Sequence, residues 1–359
     1  MWRSRLDRAL SEYCRRPLET LDRKVLWALR CGAAQLIILR TPSYAAVSST
    51  VGAMKGHRGR GLVNAVLRKL AQNGEPDITG APPHVAWSHS EELVKRWTDR
   101  FGKPETLKLL EWNNGVPEIG GCFPDKDPSG DGFFLKDYHR IERTGAALED
   151  SIPEGVYIQD EAAAIVGRAV AELAGGGSVL ELAAAPGGKT HHIQKRAAET
   201  VSVDISFDRM RMWRENCRRL DWSGVSPVVG DGSALPFRRG FDLVFLDAPC
   251  SNTGVYRRRF DARWKWSLEY LKGLIELQRL LLKSASRLVR PGGILVYSTC
   301  SLEDEENRQA VLDLRRCFPE FQPVDMPVPE PLKSHGMMTA FPPEHRIDGL
   351  FAAAMRRNS

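Results

Sequence analysis

The feature that most constrains the fold is a change of pattern near residue 159. From there on, short apolar runs of strand length alternate with longer segments of helical periodicity. The expected strands are residues 178–182, 200–204, 225–229, 243–247 and 293–298, and the last long helix is 268–289. Apolar strands separated by helices are typical of a mainly parallel sheet covered by helices on both faces. Residues 151–359 are therefore predicted to form one α/β domain.

The first part of the chain has a different character. Residues 1–72 are rich in apolar side chains at helical spacing and predict an all-α domain. Residues 73–85 contain Gly, Pro and Asp and are predicted to be a linker. Residues 86–150 begin with helical patterns and continue in Gly- and Pro-containing loops, which predicts a small linker subdomain. A chain of 359 residues is long enough for such a multidomain arrangement.

Composition excludes several classes of protein. No apolar run approaches the roughly 20 residues that cross a bilayer, so we expect no membrane association. The seven cysteines are odd in number and form no CxxC pair, which argues against a disulfide framework or a zinc site. We therefore expect a cytoplasmic protein that binds no metal, and no obligate protein partner is evident.

Positive charge is clustered rather than spread evenly. The net charge is +6, a mild excess on its own. Arg257, Arg258 and Arg259 are consecutive, with Trp264 close behind, and five arginines crowd a predicted helix over residues 209–219. Arginine clusters and aromatic side chains are typical of nucleic-acid contacts, and a solvated helix face is the alternative for the 209–219 group. The first cluster and Trp264 are predicted RNA contacts.

A glycine turn follows the first predicted strand, in VLELAAAPGGKT (179–190). The ending GGKT resembles a phosphate-binding loop, but that motif requires glycine at the position of Ala183. Small residues at a helix N-terminus instead allow a ligand to lie close to the backbone. The predicted ligand-binding positions are Ala183, Ala184, Ala185, Pro186, Gly187 and Gly188. Glu181, at the end of the strand, is a candidate for a polar part of the same ligand.

Acidic residues follow the next two strands. Asp204 ends the second strand, about 20 residues after the turn, where nucleoside-binding enzymes place the acid that holds ribose hydroxyls. Asp231 follows the third strand and is suited to accept from an adenine amino group. Either residue alone is a common turn or capping residue. Together with the glycine turn, they predict a nucleoside-containing cofactor.

Two cysteines lie just beyond neighbouring strands. Cys250 stands in LDAPCSNTG, three residues after Asp247, and Cys300 stands in VYSTCSLEDEEN. A thiolate that adds to C6 of a pyrimidine makes C5 nucleophilic toward a methyl donor. Asp247 is placed to hold N3 and the exocyclic amine of a cytosine. A lone cysteine is usually a small buried residue, so the pairing of the two motifs carries the prediction.

These motifs together resemble the RNA cytosine-5 methyltransferases of the RsmB/Nop2/Sun group. The resemblance rests on LAAAPGGKT, VDISFDR, DAPCSNTG, RRRFDARWKW and YSTCSLEDEEN. The N-terminal PLETLDRKVLWALRCGAAQLIILRTPSYAAVSSTV and GLVNAVLRKL are similar to a NusB-like RNA-binding domain, which marks the bacterial 16S rRNA enzymes of the group. Residues 1–72 are expected to be this domain in an N-terminally short form. Residues 151–359 are expected to be the Rossmann-like methyltransferase domain.

The resemblance implies S-adenosylmethionine as the methyl donor and 16S rRNA as the substrate. It makes Cys300 the nucleophile and Cys250 the residue that assists release of the product. Asp247 and Lys189 are expected near the reacting groups and the cofactor. Asp204, Asp231 and Arg209 complete the expected cofactor site.

The chain departs from the group at a few positions. Glu181 and Ala183 stand where an acid and a cysteine are usual. The resemblance implies that the subdomain 86–150 contacts RNA, and EIGGCFPDK replaces an arginine–asparagine stretch there. Two alternatives remain at this point. One keeps the chemistry on another rRNA or a tRNA cytosine, and the other is a non-catalytic RNA-binding factor in ribosome assembly.

Overall fold

The computed structural model describes residues 1–123, 130–141, 152 and 155–358. The chain divides into two compact units, Met1–Asn114 and Gly115–Ser359. The divergent stretch 117–134 falls partly outside the described residues. The predicted boundaries at residues 72, 85 and 150 stay a prediction, and the division seen here lies between Asn114 and Gly115.

The first unit is built from helices, and an apolar core lies among the first four of them. The helices are α1 (Arg3–Tyr13), α2 (Arg23–Ile37), α3 (Ser43–Ala53), α4 (Arg60–Asn73), α5 (Pro83–Ala86), α6 (Glu91–Phe101) and α7 (Lys103–Asn114). Asp22 caps α2 by accepting from the backbone N–H groups of Lys24 and Val25. A side chain at Gly32 would collide with Leu67, so glycine permits the close packing of α2 on α4.

The second unit contains a two-stranded and a larger sheet. The strands are β1 (Gly120–Cys122), β2 (Tyr138–Arg140), β3 (Ser178–Leu182), β4 (Glu199–Asp204), β5 (Val225–Val229), β6 (Phe241–Asp247), β7 (Val289–Thr299), β8 (Phe321–Val324), β9 (Lys333–Ser334), β10 (Met337–Ala340) and β11 (Leu350–Arg357). The helices are α8 (Glu161–Ala174), α9 (Thr190–Ile193), α10 (Phe207–Arg219), α11 (Leu268–Arg287), α12 (Arg308–Cys317) and α13 (Pro342–His345). Strands β1 and β2 form the small sheet.

The order in the larger sheet is β5-β4-β3-β6-β7-β11-β10-β9, with β8 also paired to β11. Strands β5, β4, β3, β6 and β7 are parallel, whereas β11 is antiparallel to β7. Apolar clusters cover both faces of this sheet, which confirms the predicted doubly wound α/β class.

Strand β7 is longer than its sequence pattern predicts. The sequence predicts a strand that begins at residue 293, because Pro291 and Gly292 before it are typical of a turn. In the structure the strand begins at Val289, which pairs with Phe241, and an irregularity between Phe241 and Leu243 absorbs the extra residues.

The chain leaves β3 toward β4 on one side and later returns to β6 on the other. Ligands of open α/β sheets bind at such a reversal, beyond the carboxyl ends of the strands. Among the described residues, no helix combines the length and apolar character needed to cross a membrane.

Candidate active site

The two motif cysteines meet at the carboxyl edge of the sheet. Strands β6 and β7 are parallel neighbours, with Asp247 paired to Ser298, so the segments that follow them run side by side. The Sγ atoms of Cys250 and Cys300 are 3.3 Å apart. Cys250 is only 5% exposed, whereas Cys300 is half-buried and accessible. The sulfur expected to react is therefore the more open of the two.

The contact between the thiols affects the protonation of Cys250. The hydrogen bond with Cys300 and burial together raise the pKa of Cys250 well above its ordinary value. Cys250 therefore keeps its proton near neutral pH and is the donor when Cys300 is a thiolate.

Asn252 supports the cysteines from the same loop, a role that sequence reasoning missed. In its thiol form Cys300 donates to Asn252 Oδ1 at 3.3 Å, and Asn252 Nδ2 donates to the carbonyl of Cys250 at 2.7 Å. The backbone of Asn252 has φ 59°, a left-handed conformation that asparagine tolerates better than most residues. The turn residues in CSNTG were the available signal.

Glu306 ties the two cysteine loops together. It is fully buried and accepts from Ser251 N (2.9 Å), Ser251 Oγ (2.5 Å), Ser301 Oγ (2.5 Å) and Gln278 Nε2 (3.0 Å). Burial raises its pKa, and the hydrogen bonds from Ser251 and Ser301 offset part of that rise. In the sequence, Glu306 is one of several acids that suit a helix start, so its buried role was not predicted.

Lys189 and Asp247 form an ion pair beside the cysteines. Lys189 Nζ lies 2.5 Å from Asp247 Oδ2, and Ser298 Oγ donates to Asp247 Oδ1 at 2.7 Å. Burial lowers the pKa of Lys189, but the Asp247 carboxylate outweighs this, so the net pKa is raised. The lysine is 14% exposed and Asp247 is 31% exposed, so the carboxylate is the more accessible partner of the ion pair.

Asp204 and Arg209, two of the predicted cofactor residues, lie beside the turn after β3. Asp204 accepts from Ala185 N at 3.1 Å and from Ser206 N at 2.9 Å, and the guanidinium of Arg209 lies 3.4 Å from it. Arg209 also donates to the carbonyl of Ala185. The peptide bond between Ala185 and Pro186 is cis. Asp204 therefore braces the turn, in addition to any contact with a ligand.

The two glycines of the turn make room for protein side chains. A side chain at Gly187 would collide with the rings of Trp222 and Trp213, and one at Gly188 would press on Tyr157. Gly187 also has φ 105°, which glycine readily adopts. Packing of protein side chains thus accounts for these two glycines, and the contact of the turn with a ligand stays a prediction. Ala183 has φ 56° and is half-buried, and Ala184 is buried.

Glu181 does not face a ligand, contrary to the sequence interpretation. It is 1% exposed, and it accepts from Thr190 Oγ1 at 2.6 Å and from Ser202 Oγ at 3.0 Å. Burial raises its pKa to about 7. A buried, hydroxyl-bonded carboxyl group of this kind stabilises the strand end and the start of α9.

Asp231 lies at the carboxyl end of β5 and is exposed. Its Oδ1 accepts from the N–H and the hydroxyl of Ser233, both at 2.8 Å, as a turn-forming aspartate does. Beyond β4, Ile205 is 71% exposed and Phe207 is 66% exposed. These apolar side chains beside Asp204 were missed in the sequence because they read as ordinary residues at a helix start.

The three consecutive arginines have different surroundings. Arg259 is exposed and Arg257 is buried. Arg258 is paired with Asp160 and Asp348. Because its guanidinium forms ion pairs with both carboxylates, we withdraw Arg258 from the expected RNA contacts. Trp264 is half-buried in a short 3₁₀ turn, and its RNA contact stays a prediction with those of Arg257 and Arg259.

Among the described residues, no group of three or more His, Cys, Asp or Glu side chains is arranged to hold a metal ion. The site therefore consists of a thiol pair, an ion pair and a turn that borders exposed apolar side chains. Such a set is suited to nucleophilic addition next to a nucleoside-binding edge.

Comparison with known proteins decides the family. Residues 170–356 match the model described as 16S rRNA methyltransferase RsmB/F, and residues 1–72 match the NusB family. The chain belongs to the RsmB/F family of rRNA methyltransferases. The predicted family and the predicted pairing of a NusB-type helical domain with a methyltransferase domain are confirmed.

Relatives in the RsmB/F family extend over most of the chain. Ribosomal RNA small subunit methyltransferase B of Vibrio cholerae is 32% identical over 95% of this chain and 83% of its own length. The protein of the same name from Salmonella paratyphi B is 32% identical over 86% of this chain and 77% of its own length.

Solved structures of two proteins share the fold. PH0851 aligns with a TM-score of 0.81 at 24% identity, over 98% of this chain and 86% of that protein. NSun6 from Pyrococcus horikoshii, crystallised with SFG, aligns with a TM-score of 0.63 at 21% identity, over 75% of this chain and 98% of that protein.

Proposed function

We propose that this rRNA methyltransferase methylates C5 of a cytosine in 16S rRNA through a covalent bond between Cys300 and C6 of the base. The observation that carries the proposal is the thiol pair, with 3.3 Å between the two sulfur atoms at the ligand-binding edge of the sheet. Methylation at a nitrogen or an oxygen needs no thiol nucleophile. A second thiol held against the first suits a reaction in which one sulfur bonds and must later be released.

The burial of the two thiols supports their separate roles. Cys300 is the more exposed, so its sulfur adds to C6 and the electron pair moves toward C5. After C5 takes up the methyl group, its proton must leave while the C6–sulfur bond breaks and the C5–C6 double bond re-forms. We assign Cys250, 3.3 Å away, to this release. Once the Cys300 sulfur is bonded to C6 and carries no charge, Cys250 gives its proton to solvent. The Cys250 thiolate then takes the C5 proton as the C6–sulfur bond breaks, which leaves Cys250 as a thiol and Cys300 as a thiolate.

Asp247 and Lys189 are the groups that we assign to the cytosine. The partly exposed Asp247 carboxylate is suited to accept from the exocyclic amine or hold a proton at N3, which draws electrons from C6. Lys189 and Ser298 fix its orientation. Because C6 is covered in a base stack, the target nucleotide must be unpaired or flipped into the site.

The turn after β3 fits S-adenosylmethionine, which would supply an electrophilic methyl group. Asp204 closes β4 beside the turn, and the exposed Ile205 and Phe207 offer apolar surface for an adenine ring. Asp231 and Arg209 lie on neighbouring segments of the same edge. The carboxylate of Asp204 retains unused lone pairs, since each of its oxygens can accept more than one hydrogen bond.

The proposed reaction is tested on the rRNA of cells that lack this protein. We expect bisulfite mapping of 16S rRNA to show the loss of 5-methylcytosine at one position. The wild-type gene should restore the mark, and the Cys300→Ala gene should not. Loss of 5-methylcytosine from another rRNA or from a tRNA would show that this other RNA is the substrate. No lost 5-methylcytosine, combined with no adduct on any RNA, would reject the chemistry.

The first unit offers a surface for the RNA outside the target base. Residues 23–74 contain no Asp or Glu and nine basic residues: Arg23, Lys24, Arg30, Arg40, Lys55, Arg58, Arg60, Arg68 and Lys69. A groove of about 910 Å³ lies between α3 and α4. Arg60, Asn64 and Arg68 line it on one side, and Tyr44, which is 80% exposed, lines it on the other. Cations for phosphates and an aromatic ring for stacking suit single-stranded RNA.

Charge reversal in this groove should weaken RNA binding. We expect the double change Arg60→Glu and Arg68→Glu to lower affinity for 16S rRNA fragments at least about 10-fold near 0.1 M salt, and to reduce the salt slope by about one to two. Arg15→Glu with Arg16→Glu is the matched control. That exposed pair lies in the same unit, outside the groove, and should change affinity less than about threefold. Equal losses in both pairs, measured by filter binding, would mean that only net charge matters.

A further inference from the structure

We infer that Arg258 is a positioning residue that locks the Cys250 loop and thereby holds Cys300, rather than a contact to RNA. The inference rests on the proposed function, because it concerns the geometry of the same two thiols. Arg258 lies eight residues after Cys250 in the same loop, and its guanidinium pairs with Asp160 and Asp348. The side chains concerned all belong to the second unit.

The guanidinium joins three separate segments. Its Nε donates to Asp348 Oδ2 at 2.7 Å and its Nη2 donates to Asp160 Oδ2 at 2.8 Å. Its Nη1 donates to the carbonyl of Glu118 at 2.7 Å. Asp160 caps α8 by accepting from Ala162 N, and Asp348 lies two residues before β11. The loop end is thus attached to the start of a helix and the approach to a strand.

The two carboxylates require this cation. Asp160 and Asp348 are 10% and 5% exposed, and the backbone N–H of Asp348 donates to Asp160 Oδ1 at 3.0 Å. Burial and the nearby Asp160 charge raise the pKa of Asp348 to about 7, although Arg258 acts in the opposite direction. Without Arg258, two buried carboxyl groups would lose the cation that is hydrogen-bonded to both.

Backbone contacts carry the constraint from Arg258 to the nucleophile. Gly254, in the middle of the loop, donates to the carbonyl of Cys300 at 3.0 Å, and Gly349 donates to the carbonyl of Gly254 at 2.9 Å. A side chain at either glycine would collide with the other, so the two segments are in direct contact. Asn252, which contacts both cysteines, belongs to the same loop. Holding Asp348 beside Arg258 therefore keeps Gly349, Gly254 and Cys300 in register.

The exposed neighbour Arg259 provides the contrast that tests the inference. We expect Arg258→Met to lower the saturated single-turnover rate of methyl transfer about 10- to 100-fold, because small displacements of reacting groups have effects of this size. Its RNA affinity should stay within about threefold and its salt slope should be unchanged. Arg259→Met should instead weaken RNA binding and lower the salt slope by about one. A saturated rate within twofold of wild type in Arg258→Met would overturn the inference.

A second variant separates loss of stability from displacement of the thiols. A second measurement reports on the Cys250 loop without requiring methyl transfer. Arg258→Met with Asp348→Asn removes one of the two unpaired carboxylates. It should recover the thermal midpoint while the rate stays low, and full recovery of the rate would overturn the inference. Alkylation by iodoacetamide, mapped by mass spectrometry, requires no methyl transfer. In Arg258→Met the buried Cys250 should be alkylated at least about fivefold faster than in wild type. An unchanged alkylation rate would contradict the positioning role of Arg258. A wild-type protein that transfers no methyl group to RNA would instead reject the proposed function.

Discussion

Replacing Cys300 by alanine should abolish methylation, whereas replacing Cys250 should stop the reaction after a bond to RNA has formed. The first change removes the sulfur that adds to C6, so turnover should fall at least about 10⁴-fold. The second leaves that sulfur in place and removes the neighbour, 3.3 Å away, that we assign to product release. Cys250→Ala protein should therefore accumulate as an RNA adduct that survives a denaturing gel.

The matched controls for this prediction are other cysteines of the same chain. Cys31→Ala and Cys317→Ala replace exposed thiols away from the two motifs and should leave turnover within about twofold of wild type. Cofactor binding by Cys300→Ala, measured by calorimetry, should be retained, because its sulfur does not form the turn after β3. An adduct that accumulates in Cys300→Ala and not in Cys250→Ala would show that the two roles are reversed.

Replacing Glu306 by alanine should destabilise the second unit and inactivate the enzyme together. The change leaves two hydroxyl groups, a backbone N–H and the amide of Gln278 without their buried acceptor. Each lost partner of a buried donor costs about 1–3 kcal/mol, so a net loss of at least about 3 kcal/mol is expected. Differential scanning calorimetry should show a transition lowered by several degrees.

Glu306→Gln and Glu276→Ala separate the possible causes. Glutamine keeps the volume and one acceptor oxygen, so its destabilisation should be clearly smaller than that of alanine. Glu276 is an exposed carboxylate on α11 whose partner Arg279 is also exposed, and its removal should cost less than about 1 kcal/mol. If Glu306→Ala is as stable and as active as Glu276→Ala, the two cysteine loops do not depend on this carboxylate.

Much of the catalytic fold was predictable because strand patterns and motif positions reinforce each other. The parallel strands contain apolar runs, and the motif residues stand at or just beyond their carboxyl ends. The edge on which Asp204, Asp247 and Cys300 lie therefore follows from the alternation. Strand β7 begins four residues before the predicted strand, because pairing with β6 outweighs the local turn signal.

The contacts that hold the site were not predictable, because they depend on segments distant in the chain. Arg258 looks like a nucleic-acid contact in a run of arginines, and only folding brings Asp160 and Asp348 to it. Glu306 looks like a helix-start acid until Ser251, 55 residues away, is seen to donate to it. The buried role of Glu181 was also not predictable, because its partner Ser202 lies on the next strand.

The most direct test is to locate the bond between protein and RNA. A 16S rRNA fragment with 5-fluorocytidine at the target position is incubated with the protein and S-adenosylmethionine, since fluorine cannot leave as a proton does and the adduct persists. After nuclease and protease digestion, mass spectrometry should find a methylated fluorocytidine on the peptide that contains Cys300. A modified Cys250 peptide, or methyl transfer with no bond to either sulfur, would contradict the nucleophilic role of Cys300.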